Sequence, residues 1–116
     1  MLSPGLFVPL AAAVRNAVDV PVIAVGKLGD PILAERTLQQ GKANFIALGR
    51  PLLADPELPN KAKEGRFRDI RSRIYCNNCT EPSVRMGLRE RGRACTVNPA
   101  LFREREFTLR LTTTCL

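Results

Sequence analysis

Two short apolar runs, PVIAVG at residues 21–26 and NFIALG at residues 44–49, constrain this chain more than any other feature. Each is unbroken, too short for a helix, and closed by glycine, which is the pattern of a strand buried on both faces. Between them, Asp30 followed by Pro31 makes a helix start, an N-cap with proline at the first helical position. That helix is expected to run to about Gln40, with Ile32, Leu33, Ala34 and Leu38 on its inner face and Gly41 ending it. Strand, helix, strand is a βαβ unit, which requires a parallel pair. Ahead of it, residues 6–18 carry Leu6, Leu10, Val14 and Val18 at intervals of four, a helix with one apolar face. Two strands cannot cover their own faces and edges, so the sequence asks for neighbours that it does not contain.

Beyond Arg50 the pattern changes. A second Asp-Pro pair at 55–56 predicts a short helix near 57–64, and residues 67–93 are basic and irregular with one short helix around 83–91. The chain of 116 residues allows one domain, and 45% hydrophobic with 25% charged residues is a globular composition. No run of about 18 apolar residues is present, so no membrane span is expected. The start, MLSPGLFVPLAAAV, lacks a basic leader and reads as the approach to a helix, which suggests a soluble, cytoplasmic protein. There is no histidine, which removes His-based acid/base catalysis, a Ser-His-Asp triad and His metal ligation. The net charge of +7 lies wholly after residue 60, because the five cations and five acids before it cancel. Such a half can meet nucleic acid, an acidic neighbour or a phosphorylated ligand, or can be plain solvated charge. Between Arg66 and Arg93 only Phe67 and Tyr75 could stack on a base, which argues against a nucleic-acid partner.

Two constellations carry chemistry. Gly26-Lys27 and Gly49-Arg50 each place a glycine and then a cation at the carboxyl end of a buried parallel strand. Glycine lets backbone amides approach a ligand, the cation adds charge, and parallel strands bind ligands beyond their carboxyl ends. Side by side, the two endings make a cradle for one phosphate, although glycine also closes strands for turn reasons alone. The second constellation is Cys76-Asn-Asn-Cys79 with Cys95 downstream. CxxC brings two thiolates to one metal, cluster or redox pair, but three ligands do not close a site, and plain thiols fit the spacing equally well.

The run from PVIAVGKLGDP through ANFIALGRPLLADPELPN to FRDIR, followed by CNNC and then CTVNPALFRE, resembles the NADH:flavin oxidoreductase and old yellow enzyme family, in particular the branch of 2,4-dienoyl-CoA reductase and trimethylamine dehydrogenase. The resemblance spans about residues 4–106 and rests on GRPLLADP and CTVNPA in the family's order. It implies an α/β fold, the C-terminal portion of a (β/α)8 TIM barrel. Residues 6–18 would be the sixth barrel helix, and the two apolar runs the seventh and eighth strands. Residues 1–73 would belong to the barrel, 74–107 to a cysteine-containing extension, and 108–116, TLRLTTTCL, would stand outside the family pattern. It also implies that Gly26, Lys27, Gly49 and Arg50 hold the phosphate of FMN in an NAD(P)H-dependent oxidoreductase, with hydride passing between NAD(P)H and a small-molecule substrate through the flavin. Cys76, Cys79 and Cys95 match the first, second and fourth ligands of the branch's [4Fe–4S] cluster. The third would fall near Pro82 or Ser83, neither of which is cysteine, so the set is incomplete. The flavin-ring contacts and the catalytic acid match nothing here, so the chain alone is expected to be inactive. A non-flavin phosphate-binding barrel is the rival enzyme reading, and a small basic nucleic-acid-binding module is the rival of another class.

Overall fold

The computed structural model describes residues 3–79 and 95–107. Its elements are helix α1 (Val8–Ala17), strand β1 (Ile23–Val25), helix α2 (Pro31–Gln39), strand β2 (Phe45–Ala47), helix α3 (Arg50–Ala54), helix α4 (Leu58–Lys63) and a 3-10 turn at Phe67–Asp69. Segments 70–79 and 95–107 are irregular, with one antiparallel bridge between Cys95 and Asn98. The expected helix at 83–91, the third-ligand position at Pro82 or Ser83, and the tail 108–116 lie outside the described residues.

β1 and β2 pair in parallel, Ile23 with Phe45, Ala24 with Ile46 and Val25 with Ala47. Asn44 sets that register. Its side-chain Oδ1 accepts from the Val22 amide at 2.9 Å, and its own amide donates to the Val22 carbonyl at 2.8 Å. The crossover helix starts as its residues dictate: the Asp30 carboxylate accepts from the Ile32 amide at 2.9 Å, satisfying one of the donors that a helix start leaves open.

One face of the sheet is covered. α1 packs on β1 and α2 on β2. The core there is Val8, Ala24, Leu28 and Ala43, with Leu33, Leu38 and Ile46 packed partly buried against it. Only Leu28 in this cluster is both large and almost wholly enclosed; burying such a side chain contributes about 1.5–3 kcal/mol.

Three expectations are corrected. β1 is not buried on both faces: Ala24 is enclosed while Ile23 and Val25 are exposed, because nothing among the described residues covers the second face. Along residues 6–18 the stripe of Leu6, Leu10, Val14 and Val18 is exposed, and Val8 of α1 makes the inward contact, so the four-residue apolar period marks a face that no described element meets. On α2, Ile32 is exposed and Thr37 takes a buried place, its hydroxyl satisfied by the Leu33 carbonyl at 2.9 Å. α3 was not anticipated, since a five-residue helix shows no period.

Candidate functional site

The carboxyl ends of β1 and β2 open into one cleft of about 220 Å3. All four strand-end residues line it: Gly26 and Lys27 from β1, Gly49 and Arg50 from β2. Parallel pairing with a register of Val25 on Ala47 brings the two glycine–cation endings side by side. Arg73 and Tyr75, from the irregular segment after the 3-10 turn, close the cleft, and no acidic side chain among the described residues lines it.

Tyr75 and Asn77, both neutral, contact the cations of the cleft. Lys27 Nζ lies 4.5 Å and the Arg73 guanidinium 4.4 Å from the centroid of the Tyr75 ring. Arg50 donates to Asn77 Oδ1 at 2.7 Å, and Arg73 reaches the same oxygen at 3.4 Å. A ring face or an amide oxygen orients a cation without removing its charge. Of the four non-glycine residues with positive φ among the described residues, three stand at this site: Lys27 at 50°, Tyr75 at 58° and Asn77 at 57°. Asparagine adopts that region readily, whereas tyrosine and lysine do so at a cost of about 1–2 kcal/mol each. Backbone strain of this kind collects where a site must be shaped.

The two glycines differ in what demands them. Gly26 has φ of +113°, and a Cβ there would come within 2.5 Å of the Phe7 ring, so the fold itself requires glycine. At Gly49 a Cβ would meet no atom of the described residues within 4 Å. Packing therefore leaves room beside Gly49 for a ligand. The amides of Gly49 and Arg50 stand at the N-cap and first position of α3, where no intrahelical acceptor exists, and neither donates to another backbone carbonyl among the described residues.

A buried carboxylate fixes the segment that brings Arg73 and Tyr75. Asp55 is 0% exposed. It accepts from Lys61 Nζ at 2.7 Å, from the Arg71 amide at 2.9 Å and from the Glu57 amide at 3.1 Å. Burial alone would raise its pKa, but the bond from Lys61, with those from the Arg71 and Glu57 amides, outweighs burial and holds the carboxyl below the ordinary value. Lys61 also donates to the Asp69 carbonyl at 2.9 Å. Asn98, likewise buried, donates to the Leu53 carbonyl at 2.8 Å and accepts from Arg71 at 3.3 Å. Asp55 of GRPLLADP and Asn98 of CTVNPA thus bolt the irregular segments to the barrel-like part.

Cys76, Cys79 and Cys95 are brought together. They line a hollow of about 20 Å3 beside the cleft, with Arg73 and Thr96 also on its wall. The Cys76 thiol lies 3.2 Å from the Thr96 hydroxyl. That contact, with the Asn78 amide and the Arg73 charge, lowers the thiol's pKa. Among the described residues, no group of three or more His, Cys, Asp or Glu side chains is arranged to hold a metal ion.

Sequence reasoning found the glycine–cation pairs but not Arg73, Tyr75 or Asn77. The signal for the first two, a basic residue and an aromatic just ahead of CNNC, has no fixed spacing to the strands, and Asn77 lies inside CNNC.

Comparison with known proteins adds a family. Residues 9–69, just over half of the chain, match the model of the NADH:flavin oxidoreductase / NADH oxidase family. The chain is 46% identical over 110 residues to an NADH oxidase of Thermoanaerobacter brockii, covering 90% of this chain and 16% of that protein. It is 40% identical over 106 residues to a cinnamate reductase of Clostridium sporogenes, covering 91% of this chain and 16% of that protein. Among solved structures, 6-hydroxypseudooxynicotine amine oxidase from Pseudomonas geniculata N1 superposes with a TM-score of 0.76 at 31% identity, over 92% of this chain and 15% of that one. The chain thus spans about one-sixth of the length of the relatives it matches.

Proposed function

The chain belongs to the NADH:flavin oxidoreductase / NADH oxidase family, and from that premise we propose that its cleft is the phosphate anchor for FMN in an NAD(P)H-dependent oxidoreductase. Its two parallel strands and their helices correspond to a portion of the family's (β/α)8 barrel. One observation carries the reading: Gly26, Lys27, Gly49 and Arg50 converge on a single cleft walled by a further cation, Arg73, and, among the described residues, by no carboxylate. A phosphate dianion fits that chemistry. The open space beside Gly49 admits an oxygen, the Gly49 and Arg50 amides lack helical partners, and Arg50 supplies charged donors at the same point.

FMN, when bound, supplies the hydride chemistry of the family. The residues of this chain bind and orient. Arg50 and Lys27 compensate phosphate charge from the two strand ends. Tyr75 holds Lys27 and Arg73 by their cationic faces, and Asn77 holds Arg50. Asp55 and Asn98 keep the supporting segment in place. Substrate choice and the catalytic acid belong, in this reading, to other parts of the barrel.

The test is a titration of the chain with FMN, riboflavin and a simple sugar phosphate, followed by flavin fluorescence and calorimetry. FMN binding with riboflavin weaker is the expected result. Arg50→Ala removes a charge-assisted contact of about 1.5–3 kcal/mol, about 10- to 100-fold in FMN affinity, and leaves riboflavin unchanged. Equal binding of FMN and riboflavin would refute the phosphate anchor. Preference for a sugar phosphate over FMN would favour a non-flavin barrel.

A further inference from the structure

The thiols of CNNC have no part in the phosphate anchor, yet a residue between them does. Asn77 accepts from Arg50 at 2.7 Å and from Arg73 at 3.4 Å. Cys76, Cys79 and Cys95, all free thiols, line one hollow whose wall includes Arg50, Arg73 and Tyr75 of the cleft. The hollow holds about 20 Å3, room for about one water molecule rather than four irons. The described residues do not fit a [4Fe–4S] cluster, since no three of their thiols and carboxylates are arranged to hold even one metal ion. Two cysteines bridge only when their Cα atoms lie within about 7 Å. A turn brings residues three apart inside that limit, and the chain turns here: Asn77 has φ of 57°, and residues 78–79 form a turn. Cys76 is exposed, whereas Cys79 and Cys95 are half-buried. The Thr96 hydroxyl, 3.2 Å from Cys76 Sγ, stands where it can donate to the thiolate. Cys95 is tied by a backbone bridge to the buried Asn98, while Cys79 is separated from Cys76 by two residues, the shorter loop to close.

We propose that Cys76 and Cys79 are a thiol–disulfide exchange pair for small-molecule disulfides of the glutathione class, Cys76 attacking and Cys79 resolving, and that closing the pair loosens the phosphate cleft through Asn77. In the first step the Cys76 thiolate attacks one sulfur of the small disulfide, whose S–S bond breaks, and one thiolate leaves. In the second, the Cys79 thiolate attacks Cys76 Sγ, and the other half of the small disulfide leaves as a thiolate. The two leaving groups take up the two protons that the protein thiols gave. Two protein thiols are oxidised to one disulfide, and one small disulfide is reduced to two thiols. The bond fixes the spacing of both cysteines and the dihedral between them, so Asn77 moves with them and gives up its place against Arg50. The coupling to the cleft rests on the phosphate-anchor reading; the thiol pairing does not.

The experiment uses the full chain, reduced, desalted without air and equilibrated in buffers of glutathione and glutathione disulfide. After acid quenching, disulfides are mapped by peptide mass spectrometry. A Cys76–Cys79 bond is expected. Cys79→Ser traps a glutathione adduct on Cys76, Cys76→Ser prevents the bond, and Cys95→Ser leaves it. In the folded chain Cys76 alkylates before Cys79 and Cys95, and in urea the three rates converge. A bond from Cys76 to Cys95 or Cys115 overturns the pairing, and no bond in any buffer overturns the exchange; neither result needs a variant to fold. Adduct on Cys79 before Cys76 overturns the order of attack. Inorganic phosphate, titrated by calorimetry, is expected to bind the oxidised chain about 5-fold more weakly than the reduced one, the effect of one misplaced hydrogen-bond partner. Equal affinity in both states overturns the coupling while the anchor stands. No phosphate binding by the reduced chain overturns the anchor and the coupling together, and the disulfide map alone then decides the pairing.

Discussion

Asp55 is the residue on which the site's geometry depends most. In sequence it is legible only as the start of a helix, because its partner amide at Arg71 is sixteen residues away and no local pattern announces it. Removing it by Asp55→Ala leaves Lys61 and two amides without their acceptor. Breaking a buried pair of this kind costs about 3–5 kcal/mol, and Lys61 is close enough to solvent to place the loss near the lower end. The pH dependence has a definite sign. A carboxyl whose folded pKa lies below its unfolded value stabilises the fold above the unfolded value, and that contribution is lost as pH falls through the folded one. Stability is therefore expected to decline from about 3.8 downward in the parent and to lack that component in Asp55→Asn. Urea melts between pH 6 and pH 2.5 would show it, and parallel curves for the two chains would refute it. The glycine–cation endings were legible because strand register alone brings them together. Arg73 and Tyr75 were not, because they reach the cleft through αL turns and buried hydrogen bonds that no periodicity encodes.

At the scale of elements, the order helix, strand, helix, strand was readable, and the caps explain why. Asp30 and Pro31 fix the start of α2 locally, so that element falls where its residues place it. Asp30→Ala is expected to cost about 1 kcal/mol, a typical N-cap loss, measured as a shift in the urea midpoint. Strand lengths were overestimated, since an apolar run continues through residues that make no ladder bond: six residues were expected at 21–26 and Ile23–Val25 form the strand. The two strand-ending glycines separate fold from function. Gly26→Ala places an L-residue at φ of +113° against the Phe7 ring. Phe7 is half exposed and can swing aside, so the cost is mainly the backbone, about 1–3 kcal/mol. Gly49→Ala meets no atom of the described residues and is expected to leave stability nearly unchanged while weakening FMN binding. If Gly49→Ala destabilised as much as Gly26→Ala, the space beside Gly49 would be structural and the ligand argument would fail.

Among the described residues the sheet has a covered face and an open one. Ile23 and Phe45 are register partners, 61% and 59% exposed, and Val25 continues the same face. Leu10 on α1, 64% exposed, leads an apolar stripe on a different element. The sequence signalled this surplus correctly as a need for neighbours, but it could not say which face would lack them, because an unbroken apolar run marks both faces of a strand alike. Contiguous apolar surface of this kind drives association. The purified chain is expected to sediment as concentration-dependent oligomers, and Ile23→Lys with Phe45→Lys is expected to shift it toward monomer without touching the cleft. The same openness decides activity. Hydride transfer requires the flavin ring to be enclosed and its reactive atom placed against a substrate. In the phosphate-anchor reading this chain offers the phosphate end of such a site, with two strands of a barrel whose closure takes about 250 residues and no histidine to move a proton. We therefore expect FMN to bind through its phosphate while NADPH oxidation and alkene reduction stay at the rate of free flavin. A monomeric Ile23→Lys/Phe45→Lys chain makes the test clean, because it removes association as a source of enclosure. Turnover above free FMN in that monomer would mean that two strands and their loops suffice to position the ring, and the division between anchoring here and chemistry elsewhere in the barrel would have to be abandoned.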